Sequence, residues 1–176
     1  MKLIVIDMQK ALMDDELYNY PALVENVAKV IAAARASGVE VIYVQHDAGP
    51  GSGFSAGDEA FEIADQVAPQ AGERVFVKTI NSCFGNKDFA AYLEAAGDRE
   101  LMIVGLQTNF CIDATVKSAF ERGYDVIVPE GAHSTFDNPY MTGETTCAYY
   151  FNEVWPGLFA DCVSLDEALS LLEKQR

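Results

Sequence analysis

Three side chains of complementary chemistry follow short apolar runs. Asp7 comes directly after Leu3-Ile4-Val5-Ile6, Lys78 directly after Val75-Phe76-Val77, and Cys111 a few residues beyond Leu101-Met102-Ile103-Val104. A carboxylate, an ammonium and a thiol in contact can make a nucleophilic site. The carboxylate takes the thiol proton, and the ammonium favours the charged forms of both acids. Thr108 and Asn109 are both good helix N-caps, so Cys111 is expected in the first turn of the helix that Ile112, Val116, Ala119 and Phe120 mark. Unpaired backbone N–H groups and the helix dipole stabilise a thiolate there. The same N–H groups suit the oxyanion of a tetrahedral intermediate. Plainer uses exist for the same residues. A free cysteine is often a small buried residue, and Asp7 with Lys78 would also serve as a structural ion pair.

The other candidates are weaker. Cys147 lies on the apolar stripe of a helix and Cys162 in an apolar strand, so both read as core. Cys83 follows Lys78 closely enough to line the same pocket without being the nucleophile. A thiol hydrolase usually uses histidine as its base, but the chain holds only His46 and His133. His46 ends a strand and suits either a structural or a substrate-contact role. His133 sits in a loop where nothing in the sequence fixes its position.

Apolar runs alternating with helical patterns are the rhythm of βαβ units and a parallel sheet. Strands are predicted over residues 3–6, 41–44, 75–77, 101–104, 126–128 and 159–163. Helices are predicted over 21–37, over 87–96, after Cys111, around Cys147 to Val154, and after the capping box Ser164-Leu165-Asp166-Glu167. In the first of these, Leu23, Val27, Val30, Ile31 and Ala34 share one face, Pro21 suits the first turn and Gly38 ends the helix. Residues 47–60 form a loop long enough to suggest function. The sum is one domain over residues 1–176, a three-layer α/β/α Rossmann-like fold. Its active site belongs outside the carboxyl ends of the strands, where Asp7, His46, Lys78 and the segment Leu106 to Cys111 all fall.

Bulk properties narrow the function. A chain of 176 residues that is 50% apolar can bury a sizeable core. A formal charge of −15 repels phosphate backbones and anionic lipid, which sets nucleic acid and membrane surfaces aside. The first apolar run stops at Asp7, too short for a signal-peptide core of about 7–15 residues or a span of about 20. Four cysteines without CxxC spacing are expected to be free thiols in a reducing cytoplasm.

At this point the residues resemble a known family. Val5-Ile6-Asp7-Met8-Gln9 is similar to the opening D-x-Q motif of the isochorismatase-like cysteine hydrolases, within the nicotinamidase/isochorismatase superfamily. Val77 to Phe84 resembles its K-x-x-x-S-A-F segment, with Cys83 in place of alanine. Val104 to Thr115 resembles the segment around the nucleophile, and Gly123 to Val126 and Ala132 to Asp137 continue the match. The resemblance covers nearly the whole chain. It implies a catalytic triad of Asp7, Lys78 and Cys111. It implies a cis peptide between Leu106 and Gln107 that directs the Gln107 N–H, with that of Cys111, at an oxyanion. It also implies a parallel sheet of about six strands in the order 3-2-1-4-5-6, and a homodimer or homotetramer.

Departures from the family pattern matter as well. Nicotinamidases carry a D-x-H…H metal site after the second strand, whereas Val44-Gln45-His46-Asp47-Ala48 lacks that spacing, so neither metal nor cofactor is expected. Cysteine at position 111 argues for amide rather than vinyl-ether hydrolysis, and Gln45-His46 with the Gly49-Pro50-Gly51 loop resembles streptothricin-hydrolase-like members and other amidases of the family. The expected substrate is a small-molecule amide cleaved through a thioester, with Gln9, His46, Phe54 and Phe84 as its contacts. Loops 47–60 and 131–141 are expected to set specificity. A vinyl-ether hydrolase, or a non-catalytic thiol-bearing binding or redox protein of the same fold, remains compatible with these residues.

Overall fold

In a computed structural model, which describes residues 1–175, the predicted strands appear as β1 (Lys2–Ile6), β2 (Glu40–His46), β3 (Arg74–Lys78), β4 (Glu100–Leu106), β5 (Asp125–Pro129) and β7 (Asp161–Val163). A two-residue strand absent from the sequence reading, β6 (His133–Ser134), pairs with the end of β4. Every pairing between these strands is parallel and the order is β3-β2-β1-β4-β5-β7. That is the expected 3-2-1-4-5-6 arrangement, with the last full strand renumbered by β6. Two residues carry too little pattern for the sequence to announce β6.

The helices are α1 (Tyr20–Ala36), α2 (Lys87–Ala96), α3 (Asp113–Glu121), α4 (Gly143–Tyr149) and α5 (Leu165–Glu173). Strand alternation divides the core into two layers. Leu3 and Val5 of β1, Val41 and Tyr43 of β2, and Met102, Val104 and Leu106 of β4 pack with α1 and α5. Ile4 and Ile6, Ile42 and Val44, and Leu101 and Ile103 face the opposite way, onto Phe89 and Leu93 of α2, Val116 and Ala119 of α3, and Trp155. The period of two in the strands thus feeds both faces, as a sheet buried on both sides requires. The apolar stripe predicted for α1 is the one buried: Leu23, Val27, Val30, Ile31 and Ala34. Gly97 ends α2 with φ +77°, a conformation glycine adopts at no steric cost.

Register brings the carboxyl ends together. Ile6 sits opposite Val44 on one side and Gly105 on the other, and His46 sits opposite Lys78. Asp7, His46, Lys78 and Leu106 therefore emerge at one edge, where β1 and β4 run side by side and the connections turn to opposite faces. Gly105 is required for that approach. A Cβ on it would stand 2.0 Å from the Ile6 carbonyl oxygen, and its φ is +121°.

The chain enters α3 differently from the sequence expectation. Neither Thr108 nor Asn109 caps the helix. Gln107 occupies the cap position, and Thr108–Ile112 forms a π-helical turn. The side chains of Thr108 and Asn109 turn to tertiary partners instead. Thr108 Oγ1 lies 2.9 Å from His133 Nδ1, and Asn109 Oδ1 accepts from Thr135 Oγ1 at 2.7 Å. Among the described residues, no helix is long and apolar enough to cross a membrane.

Candidate active site

The three residues from separate strands meet at the switch point. Asp7, with φ +51°, leaves β1 with its N–H bonded to the Val44 carbonyl. Its Oδ2 accepts from Lys78 Nζ at 2.7 Å, and both side chains are buried, at 1% and 0% exposure. The same ammonium donates to Cys111 Sγ at 3.2 Å and stands 3.4 Å from His46 Nδ1. Asp7 Oδ1 is buried without a hydrogen-bond partner. The Asp7 carboxyl and the Cys111 thiol are close enough to shift each other's acidity.

Burial and charge compete here. Burial raises the pKa of Asp7 above the usual carboxylate range, against the opposing pull of Lys78. Burial pushes the Cys111 thiol up to about 12, the Asp7 charge adds to the shift, and Lys78 opposes it. For Lys78, burial alone would lower the value, but Asp7 and Cys111 outweigh it and keep the ammonium charged. His46 is lowered, first by burial and then by Lys78, which favours the neutral imidazole. The resting sulfur is therefore a thiol. Burial works against the helix N-terminus in favour of the thiol, so a base is needed at the moment of attack.

Cys111 opens onto a cavity of about 170 Å³. Asp7, His46, Asn81 and Gln107 bring polar groups to it, and Leu12, Phe54 and Phe110 bring apolar ones. Asn81 Oδ1 lies 3.9 Å from the sulfur. The Leu106–Gln107 peptide is cis, as the resemblance implies. The N–H groups of Phe110 and Ile112 both donate to the Gln107 carbonyl at 3.1 Å.

Of the four expected substrate contacts, His46 and Phe54 line this cavity. Gln9 and Phe84 do not. Gln9 is fully buried and works as a clamp. Its Nε2 donates to the carbonyls of His46 and Phe61, and its Oε1 accepts from the His46 N–H. It thereby ties the 47–61 connection to the end of β2 and holds His46 and Phe54 indirectly. Phe84 faces the core, edge-on to Phe89 and against Tyr124, with the Arg122 guanidinium over its ring. The slot between Phe89 and Tyr124 buries nearly all of the Phe84 ring.

Cys83 is also enclosed in that core and does not line the cavity, and burial holds its thiol far above the ordinary range. His133 is fixed by Thr108, Phe151 and Trp155, and burial lowers it to about 4. Three cavity residues were not anticipated: Leu12, Asn81 and Phe110. Asn81 stands three residues past Lys78, and Phe110 is an aromatic directly before the thiol. Those placements are the only signals the sequence offered for them.

Comparison with known proteins gives a consistent result. Residues 2–155 match the isochorismatase domain model. The chain is 36% identical over 138 residues to the isochorismatase family protein YddQ of Bacillus subtilis, covering 76% of this chain and 77% of that protein. It is 31% identical over 139 residues to streptothricin hydrolase of Streptomyces noursei, covering 78% of this chain but spanning only about half, 50%, of that relative's length. An isochorismatase-family structure from Chromobacterium violaceum superposes with a TM-score of 0.90 at 28% identity, covering 98% of this chain and 93% of that one. N-carbamoylsarcosine amidase from Thermoplasma acidophilum superposes with a TM-score of 0.75 at 26% identity, covering 94% and 98%.

Proposed function

This chain belongs to the isochorismatase family, and we propose that within it the protein is a cysteine amidohydrolase that cleaves the C–N bond of a small amide through a thioester. One observation carries the reading. A single buried ammonium, Lys78 Nζ, touches both the Asp7 carboxylate and the Cys111 sulfur, while the second carboxylate oxygen of Asp7 is left without a partner. That oxygen is the base. It takes the Cys111 proton as the sulfur attacks the amide carbonyl. Lys78 compensates the charge as it moves from carboxylate to sulfur. The N–H groups of Gln107 and Cys111 receive the oxyanion. Protonated Asp7 then hands its proton to the departing amine. Asp7 next activates the water that hydrolyses the thioester, releasing the acid and restoring the thiol.

The amidase among the structural neighbours supports an amide substrate. An assembly of two or four copies is part of the proposal, resting on the family resemblance, and sedimentation would measure it. A cytoplasmic location is proposed from four cysteines that are all free. The test of the chemistry is an ammonia-release screen over small amides with the parent protein, Cys111→Ser and Cys111→Ala. Ammonia from the parent alone, with a thioester trapped at Cys111 by mass spectrometry, is the expected result. Full ammonia release by Cys111→Ala would remove the thiol from the mechanism, whereas no ammonia from any amide together with cleavage of a vinyl ether by Cys111→Ala would move the reading to vinyl-ether hydrolysis with Asp7 as acid.

A further inference from the structure

The surroundings of the thiol carry information about the charge of what binds there. Beside the cavity at Cys111 lies a second one of about 500 Å³ that shares Gln107 and Phe110 with it and extends towards Asp137, Asn138 and Tyr140. The two form a natural path for a substrate whose carbonyl sits at the sulfur. Among the described residues, no lysine or arginine lines either cavity. The one ammonium at this edge of the sheet, Lys78, has no exposed side-chain surface, and its Nζ is engaged by Asp7, Cys111 and His46. His46 is favoured as a neutral ring by burial and by Lys78. The charges that do line the path are carboxylates, Asp7 and Asp137. What remains for recognition is carboxamide and aromatic: Asn81 and Gln107 on one hand, Phe54, Phe110 and Tyr140 on the other.

Removing a carboxylate from water without a cation to receive it is costly, and a neighbouring carboxylate adds to that cost. An uncharged carboxamide exchanges its water contacts for side-chain amides at little cost and gains from apolar burial. We infer that the site takes uncharged carboxamides with an apolar group beyond the carbonyl and rejects amides that carry a carboxylate. This rests on the amidohydrolase reading for its substrate chemistry, but the charge preference can be measured without turnover.

Iodoacetamide and iodoacetate are a matched pair, one an uncharged carboxamide and the other a carboxylate. Each transfers its CH₂ group to Cys111 Sγ and expels iodide, so the degree of thiol ionisation cancels in the ratio of their rates. The ratio is read at Cys111 by peptide mapping and divided by the ratio for a small free thiol in the same buffer. It should favour iodoacetamide by at least about tenfold. Repeating the measurement near 1 M salt, where the Debye length is about 3 Å, removes the field of the whole acidic chain. The preference should persist there, and Asn81→Arg should erase or reverse it. A normalised ratio near one, a ratio favouring iodoacetate, or a preference that vanishes at high salt would overturn the inference.

In turnover, butyramide should exceed succinamate, its carboxylated counterpart, by at least about tenfold in kcat/KM. Equal rates for the two would refute the charge preference and leave the hydrolase reading intact. No ammonia from any amide, with the alkylation ratio preserved, would refute the hydrolase reading and support the preference.

Discussion

Replacing Lys78 with methionine removes the ammonium while keeping a side chain of similar length in a buried site. The consequence falls on Asp7. Its Oδ2 loses the bond at 2.7 Å and its Oδ1 has no partner already, so a carboxylate with 1% exposure is left without compensation. Breaking a buried pair in this way costs about 3–5 kcal/mol. The cost has a pH signature. Burial already raises Asp7, and Lys78 is the principal opposing influence. Without it the folded-state value rises further above the unfolded one.

A group raised on folding contributes stability that is fully present below its unfolded value, near 3.8, and lost as pH rises through the folded value. Across that window the loss runs at about 1.4 kcal/mol per pH unit for the one proton. Lys78→Met should therefore approach the parent's stability in acid and fall behind it towards neutrality. Adding Asp7→Asn removes the orphaned charge and should restore stability to within about 1 kcal/mol of the parent, or above it. Urea unfolding of the parent, both single variants and the double variant at several pH values supplies all four corners of the cycle. A Lys78→Met penalty that stays below about 1 kcal/mol, or that does not change with pH, would mean the pair is not buried and coupled as described.

Three further outcomes follow from the same geometry. Asp7→Asn should abolish amide turnover while leaving the fold intact, because it removes the carboxylate that takes the Cys111 proton. Ammonia release at the parent's rate in that variant would remove Asp7 as the base. Gly105→Ala should lower stability by at least about 3 kcal/mol, or about 6–12 °C in Tm, since its Cβ meets the Ile6 carbonyl; differential scanning calorimetry reads this directly. Gln9→Leu should cost about 1–3 kcal/mol by leaving His46 backbone groups unpaired. It should raise KM more than it lowers kcat, because the clamp positions the cavity wall and does not touch the thiol.

Much of this molecule can be read from the chain alone. The strands are short apolar runs, the stripe of α1 is the face that is buried, and Gly97 ends α2 as its position suggests. Such features depend on residues within a turn or two of one another, so local sequence contains their cause. Asp7, Lys78 and Cys111 were legible as candidates because each follows an apolar run and parallel strands end on one edge. Their meeting, however, joins residues 71 and 33 positions apart, and only the register of β1 against β2 and β4, and of β2 against β3, decides it. The same holds for the misplaced expectations. Gln9 and Phe84 sit beside site residues in sequence, yet one is turned inward by backbone groups near positions 46 and 61 and the other by an aromatic slot between α2 and Tyr124. Whether Cys111 rests as thiol or thiolate is likewise beyond local reading. Desolvation sums over everything packed around an atom, and that sum exists only once the chain has folded.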